Sequence, residues 1–448
     1  MISIDYTNVM ADTIGERDGL LREELVSLKY ILREAHYKIQ KNLDKQYYFL
    51  KLPEIDTTKI KEHANYVKEN FEYFVLVGIG GSSLGTEMLF QSLKWINYNQ
   101  FHYPKFYVLD NVEPEKVTSI LELIDINKTC FNIISKSGST IETIANFMIV
   151  LDLLKEKVGE KWNKHLVITT NPNKGFLREF AKKYNIKTFD IPSNVSGRFS
   201  VLSTVGLFPA SVVGIDIDDL LDGAKRMKQL CLVEEHVEHN PAYLIAVLHF
   251  LTNMRRKKSI AVMMPYAERL SKFVDWWRQL WAESLGKDEL GQTPVKAMGT
   301  IDQHSQIQLY REGIKDKIIT FITVDNPYRD IKIPEDIPEE IGFLKGKTLN
   351  QLLKGELIGT KAAFIKSKIP NLTITLDKLS PYNIGMLIIM YELATAVSGF
   401  LYKVNPFDQP AVEEGKEFMY AWIGKNGYEE KLEELKDIYK ERYKLKIK

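Results

Sequence analysis

Short apolar runs alternate with helix-length segments along most of this chain, and this alternation limits its fold more than any other feature. Before residue 195, helical patterns separate five candidate strands at 71–77, 106–109, 131–135, 166–170 and 187–191. A second series has strands near 259–264, 317–324 and 372–376, and helices near 241–256, 269–285 and 381–400. Because strands separated by helices form βαβ units, we predict an α/β fold with two mainly parallel sheets.

The two series predict two domains with helical flanks. We place a helical N-terminal arm at 1–50, the first domain at 51–195, the second at 196–415 and a C-terminal helical segment at 416–448. Residues 382–402 are apolar and long enough to cross a bilayer, but Glu392 would then lie near the middle of the membrane at a large energetic cost. We therefore expect a buried core helix there.

The charge balance, the N-terminal residues and the cysteine content argue against a protein that binds nucleic acid, binds an anionic membrane surface or is exported. Lys and Arg (60) nearly balance Asp and Glu (59), so no bulk charge favours nucleic acid or an anionic membrane surface. The N-terminus carries acidic residues where a signal peptide would be basic and then apolar, so we expect no export. Two cysteines, Cys130 and Cys231, suit unpaired thiols in a reducing compartment, and we expect a cytoplasmic protein.

The first glycine-rich loop, "GIGGSSLG" at 78–85, follows a predicted strand. A dinucleotide fingerprint requires a third glycine where Ser83 stands, so a nicotinamide site is the weaker interpretation. The amides of Gly80 and Gly81 and the Ser82 hydroxyl, at the start of a helix, would suit a phosphate dianion.

A second loop, "SKSGST" at 135–140, also runs from a strand into a helix. Its hydroxyl groups and one ammonium group could bind the same phosphate; they belong to Ser135, Lys136, Ser137, Ser139 and Thr140. The alternative is helix capping, because Ser139 and Glu142 have the spacing of a capping box.

Charged and polar residues in four later segments are together candidates for catalysis, although a lone helix glutamate or a lone lysine is usually solvated and a lone histidine is more often a core residue. Arg198, in "SGRFSVLS", is the one charge of a long uncharged stretch and needs a carboxylate or a developing oxyanion as its partner. Glu283 lies on an apolar, aromatic helix, a setting that favours proton transfer. His304 in "DQHSQ", and Gln409 with Lys416 in "NPFDQPAVEEGK", are further candidates.

These segments, in this order, resemble the glucose-6-phosphate isomerase family in its shorter bacterial form. Six blocks carry the resemblance, which covers about 71–416: "GIGGSSLG", "SKSGST", "SGRFSVLS", "ESLGKD", "DQHSQ" and "NPFDQPAVEEGK". The resemblance implies two sugar-isomerase (SIS) domains, each a three-layer αβα sandwich. It also implies conversion of glucose 6-phosphate to fructose 6-phosphate through a cis-enediolate, in glycolysis and gluconeogenesis, with no metal and no organic cofactor.

The resemblance also assigns catalytic roles. Glu283 matches the base that moves a proton between C2 and C1, and Arg198 matches the cation that stabilises the enediolate. His304 and Lys416 match the residues that open the sugar ring. In the family this histidine comes from the neighbouring subunit, which implies a homodimer.

Substrate contacts follow from the same motifs. The phosphate contacts match Ser82, Ser135, Lys136 (through its backbone or charge), Ser137 and Thr140. The positions that line the sugar match Gly81, Gly197, Gln279 and Gln409. Glu142 matches the carboxylate that orients the histidine, a role that competes with helix capping. The sequence departs from the family at Ala411, where glycine is frequent; if that position needs a positive φ, the loop of Gln409 and Lys416 would shift.

Two other functions compete with this interpretation. A non-catalytic sugar-phosphate sensor could use the same domains, but the chain has no basic arm, and a sensor has no use for Glu283, His304 and Lys416 together. Another aldose–ketose isomerase, acting on an amino sugar or on mannose phosphate, would need the same proton-transfer groups. Identification of the product distinguishes these alternatives.

Overall fold

A computed structural model of the chain describes residues 1–94, 96–440, 444–445 and 447. The strands of two five-stranded sheets, in chain order, are β1 Ile2–Asp5, β2 Tyr73–Val77, β3 Lys105–Leu109, β4 Thr129–Ser135, β5 Leu166–Thr170, β6 Lys187–Asp190, β7 Ile260–Pro265, β8 Thr293–Lys296, β9 Lys317–Val324 and β10 Asn371–Leu376.

The α-helices of the N-terminal part are α1 Ala11–Ile14, α2 Arg22–Ser27, α3 Lys29–Lys41, α4 Thr58–Asn70, α5 Leu84–Leu93, α6 Tyr98–Phe101, α7 Pro114–Leu123, α8 Ile141–Val158 and α9 Phe176–Lys183. Those that follow are α10 Thr204–Val212, α11 Ile217–Val233, α12 Pro241–Arg256, α13 Ser271–Leu285, α14 Ile307–Glu312, α15 Leu349–Lys366, α16 Pro381–Tyr402, α17 Glu413–Trp422 and α18 Glu429–Ile438.

The first sheet is entirely parallel, in the order β3-β2-β4-β5-β6. Its strands lie where the apolar runs predicted them. Alternate residues of β2 face opposite layers of helices: Val75 packs in a buried cluster with Phe147 of α8, whereas the Phe74 ring packs 5.8 Å from that of Phe208 of α10. Helices therefore cover both faces of the sheet, as in a three-layer αβα sandwich.

The second sheet has the order β1-β10-β9-β7-β8, and β1 pairs antiparallel with β10 while the other pairs are parallel. One face packs on α15, where Phe321 of β9 stacks on Phe364 at 5.9 Å. On the opposite face, Thr320 lies 3.4 Å from His249 of α12. The predicted fold class, two αβα sandwiches with mainly parallel sheets, is confirmed.

Strands β1 and β8 were not predicted from the sequence. The first begins the predicted helical arm, so residues 2–5 of that arm are a strand of the second sheet rather than a helix. The second has four residues and includes Pro294, which suits an edge strand because proline has no amide hydrogen to donate to a neighbour.

Helix α16 contains the apolar segment 382–402, which by its length could cross a bilayer. Among the described residues it is the one helix long and apolar enough to cross a membrane, and 89% of its most apolar window is buried inside the protein. Glu392 lies in its interior with no exposed surface, so burial raises the pKa of this carboxyl well above its usual range. The helix is a core helix, as expected.

The chain forms two compact units, Met1–Pro406 and Phe407–Lys448. The second contains α17, α18 and a short 3-10 helix, Pro410–Val412. The boundary predicted at residue 416 falls inside α17. We propose a division between the two sheets near residue 195, because β6 ends at Asp190 and β7 begins only at Ile260.

Candidate active site

Two loops of the first unit meet at the point where the strand order of the first sheet reverses. The chain passes from β2 to β3 on one side and then to β4 on the other side of β2. Because ligands of such sheets bind outside the carboxyl ends of the strands at this reversal, the loops after β2 and β4 are the expected place for a site. These are the loops 78–85 and 135–140.

The loop after β2 touches the backbone of a distant segment. Gly80 has a φ of +61°, and a 3-10 helix, Gly80–Ser82, precedes α5. A Cβ on Gly81 would lie 2.3 Å from the carbonyl carbon of Gly197, so only glycine permits this approach. The Ser200 hydroxyl donates to the Gly197 carbonyl at 2.7 Å and to the Gly81 carbonyl at 3.4 Å, which joins the two segments.

The hydroxyl groups of the loop after β4 form one cluster. Ser135 Oγ lies 2.8 Å from Thr140 Oγ1 and 3.4 Å from Ser137 Oγ, and Ser137 Oγ lies 3.4 Å from Thr140 Oγ1. The Ser139 hydroxyl donates to Ser137 Oγ at 3.3 Å. These groups can therefore contact one oxyanion from several directions.

Ser139 and Glu142 do not form the capping box that is the alternative to phosphate binding. Helix α8 begins at Ile141, Thr140 is its N-cap residue, and no side chain caps it. Glu142 is therefore in the first turn, one position too early for the reciprocal bond of a capping box.

Arg198 is 2% exposed and holds three elements together. Its Nε donates to Ser284 Oγ at 2.7 Å, one terminal nitrogen donates to Glu283 Oε2 at 3.1 Å, and the other donates to the Pro406 carbonyl at 2.7 Å. Burial and the charge of Arg198 together lower the pKa of the Lys136 ammonium. Two cations thus lie close enough to interact, which favours the binding of an anion between them.

Glu283 and Gln279 occupy one face of α13, four residues apart. The Gln279 side-chain amide donates to Glu283 Oε1 at 2.9 Å, so each carboxylate oxygen has a donor. The Glu283 side chain is 33% exposed. A Cβ on Gly80 would lie 3.1 Å from the Gln279 amide nitrogen, which shows how closely the first loop approaches this helix. The structure thus brings together the predicted residues of 80–81, 197–198, 279 and 283.

The two other predicted catalytic residues are His304 and Lys416. His304 is exposed and ends the short 3-10 helix Ile301–Gln303. Among the described residues of one chain, no hydrogen bond or ion pair joins His304 to Glu283 or to Glu142. In the second unit, Lys416 forms an ion pair with Glu413 at 2.8 Å, and Gln409 precedes the 3-10 helix.

The departure at Ala411 does not strain the loop. This residue lies inside Pro410–Val412 and is absent from the described non-glycine residues with a positive φ. A glycine is therefore not required there.

Sequence reasoning missed three residues that support the site. Ser284 accepts from Arg198, and Ser200 joins the backbone of the two glycine segments. Lys287 donates to the carbonyls of Glu283, Ser284 and Asn405 and so ends the helix that carries Glu283. All three lie within or beside the quoted motifs, which is the signal that could have identified them.

Comparison with known proteins identifies the family. The profile of the family described as "Phosphoglucose isomerase" matches residues 54–434. The chain is 42% identical to a glucose-6-phosphate isomerase of Carboxydothermus hydrogenoformans over 98% of each sequence. It is also 42% identical to one of Thermus thermophilus, over 82% of this chain and 88% of that one.

Solved structures agree with this relationship. A crystal structure of a hypothetical protein from Thermus thermophilus superposes with a TM-score of 0.85 and 37% identity, over 95% of this chain and 100% of that chain. A glucose-6-phosphate isomerase from Chlamydia trachomatis shares the fold, with a TM-score of 0.81 and 20% identity over 98% and 92% of the two chains. The family profile, the identity over nearly the full length and the shared fold lead to one conclusion: the chain belongs to the phosphoglucose isomerase family.

Proposed function

We propose that this protein is an enzyme that interconverts D-glucose 6-phosphate and D-fructose 6-phosphate, a step of glycolysis and gluconeogenesis. The observation that carries the proposal is the position of Glu283, a partly exposed carboxylate held between Gln279 and the buried Arg198. Isomerisation between adjacent carbons needs a base for the C2 proton and a cation for the charge that then develops on the oxygens. Family membership supports the same reaction.

Glu283 is proposed as the base that removes the proton from C2 and returns it to C1. The two bonds to Gln279 and Arg198 fix the orientation of its carboxylate. Arg198 is proposed to stabilise the cis-enediolate, because its guanidinium carries a permanent charge and several donors. Its bonds to Ser284 and to the Pro406 carbonyl hold the cation in place before the substrate binds.

The phosphate is proposed to bind where the two loops of the first sheet converge. Its contacts would come from Ser82, Ser135, Lys136, Ser137 and Thr140. Hydroxyl groups within 3.4 Å of one another and a half-buried ammonium support this assignment. Gly81, Gly197, Gln279 and Gln409 are proposed to line the sugar.

Ring opening is proposed to use His304 and Lys416, with Glu142 as the carboxylate that orients the histidine. We propose that His304 acts in the site of a second subunit, so that the active enzyme is a homodimer. The exposure of His304 and its lack of a bond to Glu283, within the described part of one chain, support this arrangement. We also propose a cytoplasmic location, which suits the unpaired, buried Cys130 and Cys231.

Mixing two inactive variants tests the shared site. A Glu283→Gln subunit keeps His304, and a His304→Ala subunit keeps Glu283, so a mixed dimer would contain one complete site. Random assortment would restore about one quarter of the wild-type activity. If the histidine acted within its own chain, the mixture would stay as inactive as its components.

The reaction itself is tested with purified protein and fructose 6-phosphate, with glucose 6-phosphate detected through its specific dehydrogenase. We expect turnover in the wild type and almost none in Glu283→Gln. Glu179→Gln is the matched control, because the Glu179 side chain is 67% exposed on α9 and its ion pair with Lys182 is a weak surface pair. Failure of the folded wild type to produce glucose 6-phosphate would contradict the proposed reaction.

A further inference from the structure

The second sheet has a strand-order reversal of its own. From β7 the chain passes to β8 on one side, and it then continues with β9 and β10 on the other side. Strands β7, β9 and β10 are parallel, so their carboxyl ends meet at one edge of the sheet. The general rule that predicts a ligand site between β2 and β4 therefore predicts a second one between β7 and β9.

A cavity opens at this edge. Its volume is about 640 Å³, within the range of ~300–1,000 Å³ that is usual for small-molecule sites. The lining residues come mainly from the loops after the three strands, at 266–269, 326–329 and 378–379, together with Asn350 and Leu353 of α15. None of the residues assigned to the isomerisation is among them.

The walls of the cavity are largely apolar and its charge is positive. Tyr266, Val324, Pro327, Leu353 and Leu379 supply the apolar surface. Three cations line the same space, Arg269, Arg329 and Lys378, whereas Glu268 is the one carboxylate among the described lining residues. This combination complements an anionic group attached to an apolar or flat body.

Arg269 is the most informative of these cations. Its Nε is buried and has no hydrogen-bond partner among the described residues, and no ion pair with a described carboxylate compensates its charge. Burial lowers the pKa of this guanidinium. A half-buried guanidinium whose buried Nε has no acceptor is costly to keep, and an anion bound in the cavity would provide the missing acceptor.

We propose that this cavity is a second ligand site, distinct from the isomerase site, for a small organic phosphate with a flat apolar portion, of the nucleoside monophosphate type. The anionic group binds Arg269 with Lys378, and the flat portion lies against the apolar wall that includes Leu353.

The test measures binding by calorimetry to the full chain, in the presence of saturating fructose 6-phosphate, so that the other phosphate site is occupied. Three probes separate the two halves of the ligand: AMP, adenosine and inorganic phosphate. We expect AMP to bind at least about tenfold more tightly than either fragment. Leu353→Trp, which fills the cavity without changing its charge, should abolish AMP binding and leave the isomerase turnover unchanged.

Charge variants complete the experiment. Arg269→Gln and the exposed Lys378→Gln should each weaken AMP binding about tenfold, whereas the control Lys182→Gln, an exposed residue on α9 beside the first sheet, should not. Because Arg269 is half-buried, Lys378→Gln keeps the test valid if the first variant fails to fold. AMP that binds no better than phosphate, or equally well to Leu353→Trp, would overturn the proposal. A second copy of the chain that covers the cavity would also overturn the proposal; in that case AMP would bind only after dilution to monomers.

Discussion

The contact between Gly81 and Gly197 allows a quantitative prediction. In Gly81→Ala, the new Cβ would lie 2.3 Å from the carbonyl carbon and 2.5 Å from the carbonyl oxygen of Gly197. These distances are about 1 Å shorter than van der Waals contact, and the obstacle is backbone, so one of the two segments must move. Arg198 follows Gly197 directly, so a movement of this segment displaces the cation of the site.

Such a displacement should affect catalysis more than folding. A misplacement of ~1 Å can cost about 10²-fold in rate, so we expect kcat/KM of Gly81→Ala to fall by that factor in the coupled assay. Overpacking should lower the free energy of unfolding by only about 1–3 kcal/mol, measured by urea denaturation.

Gly355→Ala is the matched control. Gly355 lies inside α15, its Cβ would meet nothing within 4 Å, and alanine should stabilise the helix by about 0.5–1 kcal/mol without changing kcat/KM. A folded Gly81→Ala enzyme with the kcat/KM of the wild type would refute the reasoning.

Three other predictions follow from single residues. Arg198→Lys should reduce kcat by about 10²–10³-fold in the coupled assay, because an ammonium cannot replace the three directed bonds of the guanidinium. Burial raises the pKa of Glu392 and keeps this carboxyl neutral in the folded protein, whereas in the unfolded chain it ionises above pH ~4.3. The free energy of unfolding should therefore fall as the pH rises from that value towards the raised pKa of the folded state. Glu392→Gln should remove this loss, which urea titrations at pH 5 and pH 8 would measure. Burial raises the pKa of Cys231 to about 12 and also raises that of Cys130, so mass spectrometry should detect no alkylation of the native protein and two adducts in urea.

Most of the strands that the sequence predicted are buried along nearly their whole length, namely β2, β4, β5, β7, β9 and β10, whereas β3 and β6, which it also predicted, are buried only in part. Strand β4 is buried at every residue, as is usual for the centre of a parallel sheet, and its sequence TCFNIIS is mainly apolar, with polar side chains only at Thr129, Asn132 and Ser135. Strand β1 has only four residues, which alternate in exposure, and it exists because β10 offers an edge more than three hundred residues later. No local pattern contains that information.

The features of the candidate site also divide into those that the local sequence indicates and those that only the folded chain specifies. The residue types of the two loops suggest phosphate binding by themselves, whereas the role predicted for Glu283 depends on the combination of motifs and on the family resemblance, because a lone glutamate on a helix is usually solvated. The contacts of Gly81 with Gly197 and of Arg198 with Ser284 join segments that are far apart in the sequence, so only the folded chain specifies them. The alternative of a capping box at Ser139 and Glu142 is not realised, because the helix begins later than their spacing indicated and the Ser139 hydroxyl donates instead to Ser137 Oγ.

Isomerisation in D₂O tests the central claim, proton transfer by Glu283, most directly. After many turnovers of glucose 6-phosphate, NMR should show deuterium at C1 of fructose 6-phosphate and at C2 of glucose 6-phosphate, because a proton held by a partly exposed carboxylate exchanges with solvent. Glu283→Gln should show neither turnover nor deuterium, while Glu179→Gln behaves as the wild type does. Equilibration of the two sugars without any deuterium at either carbon, or undiminished exchange in Glu283→Gln, would contradict the account.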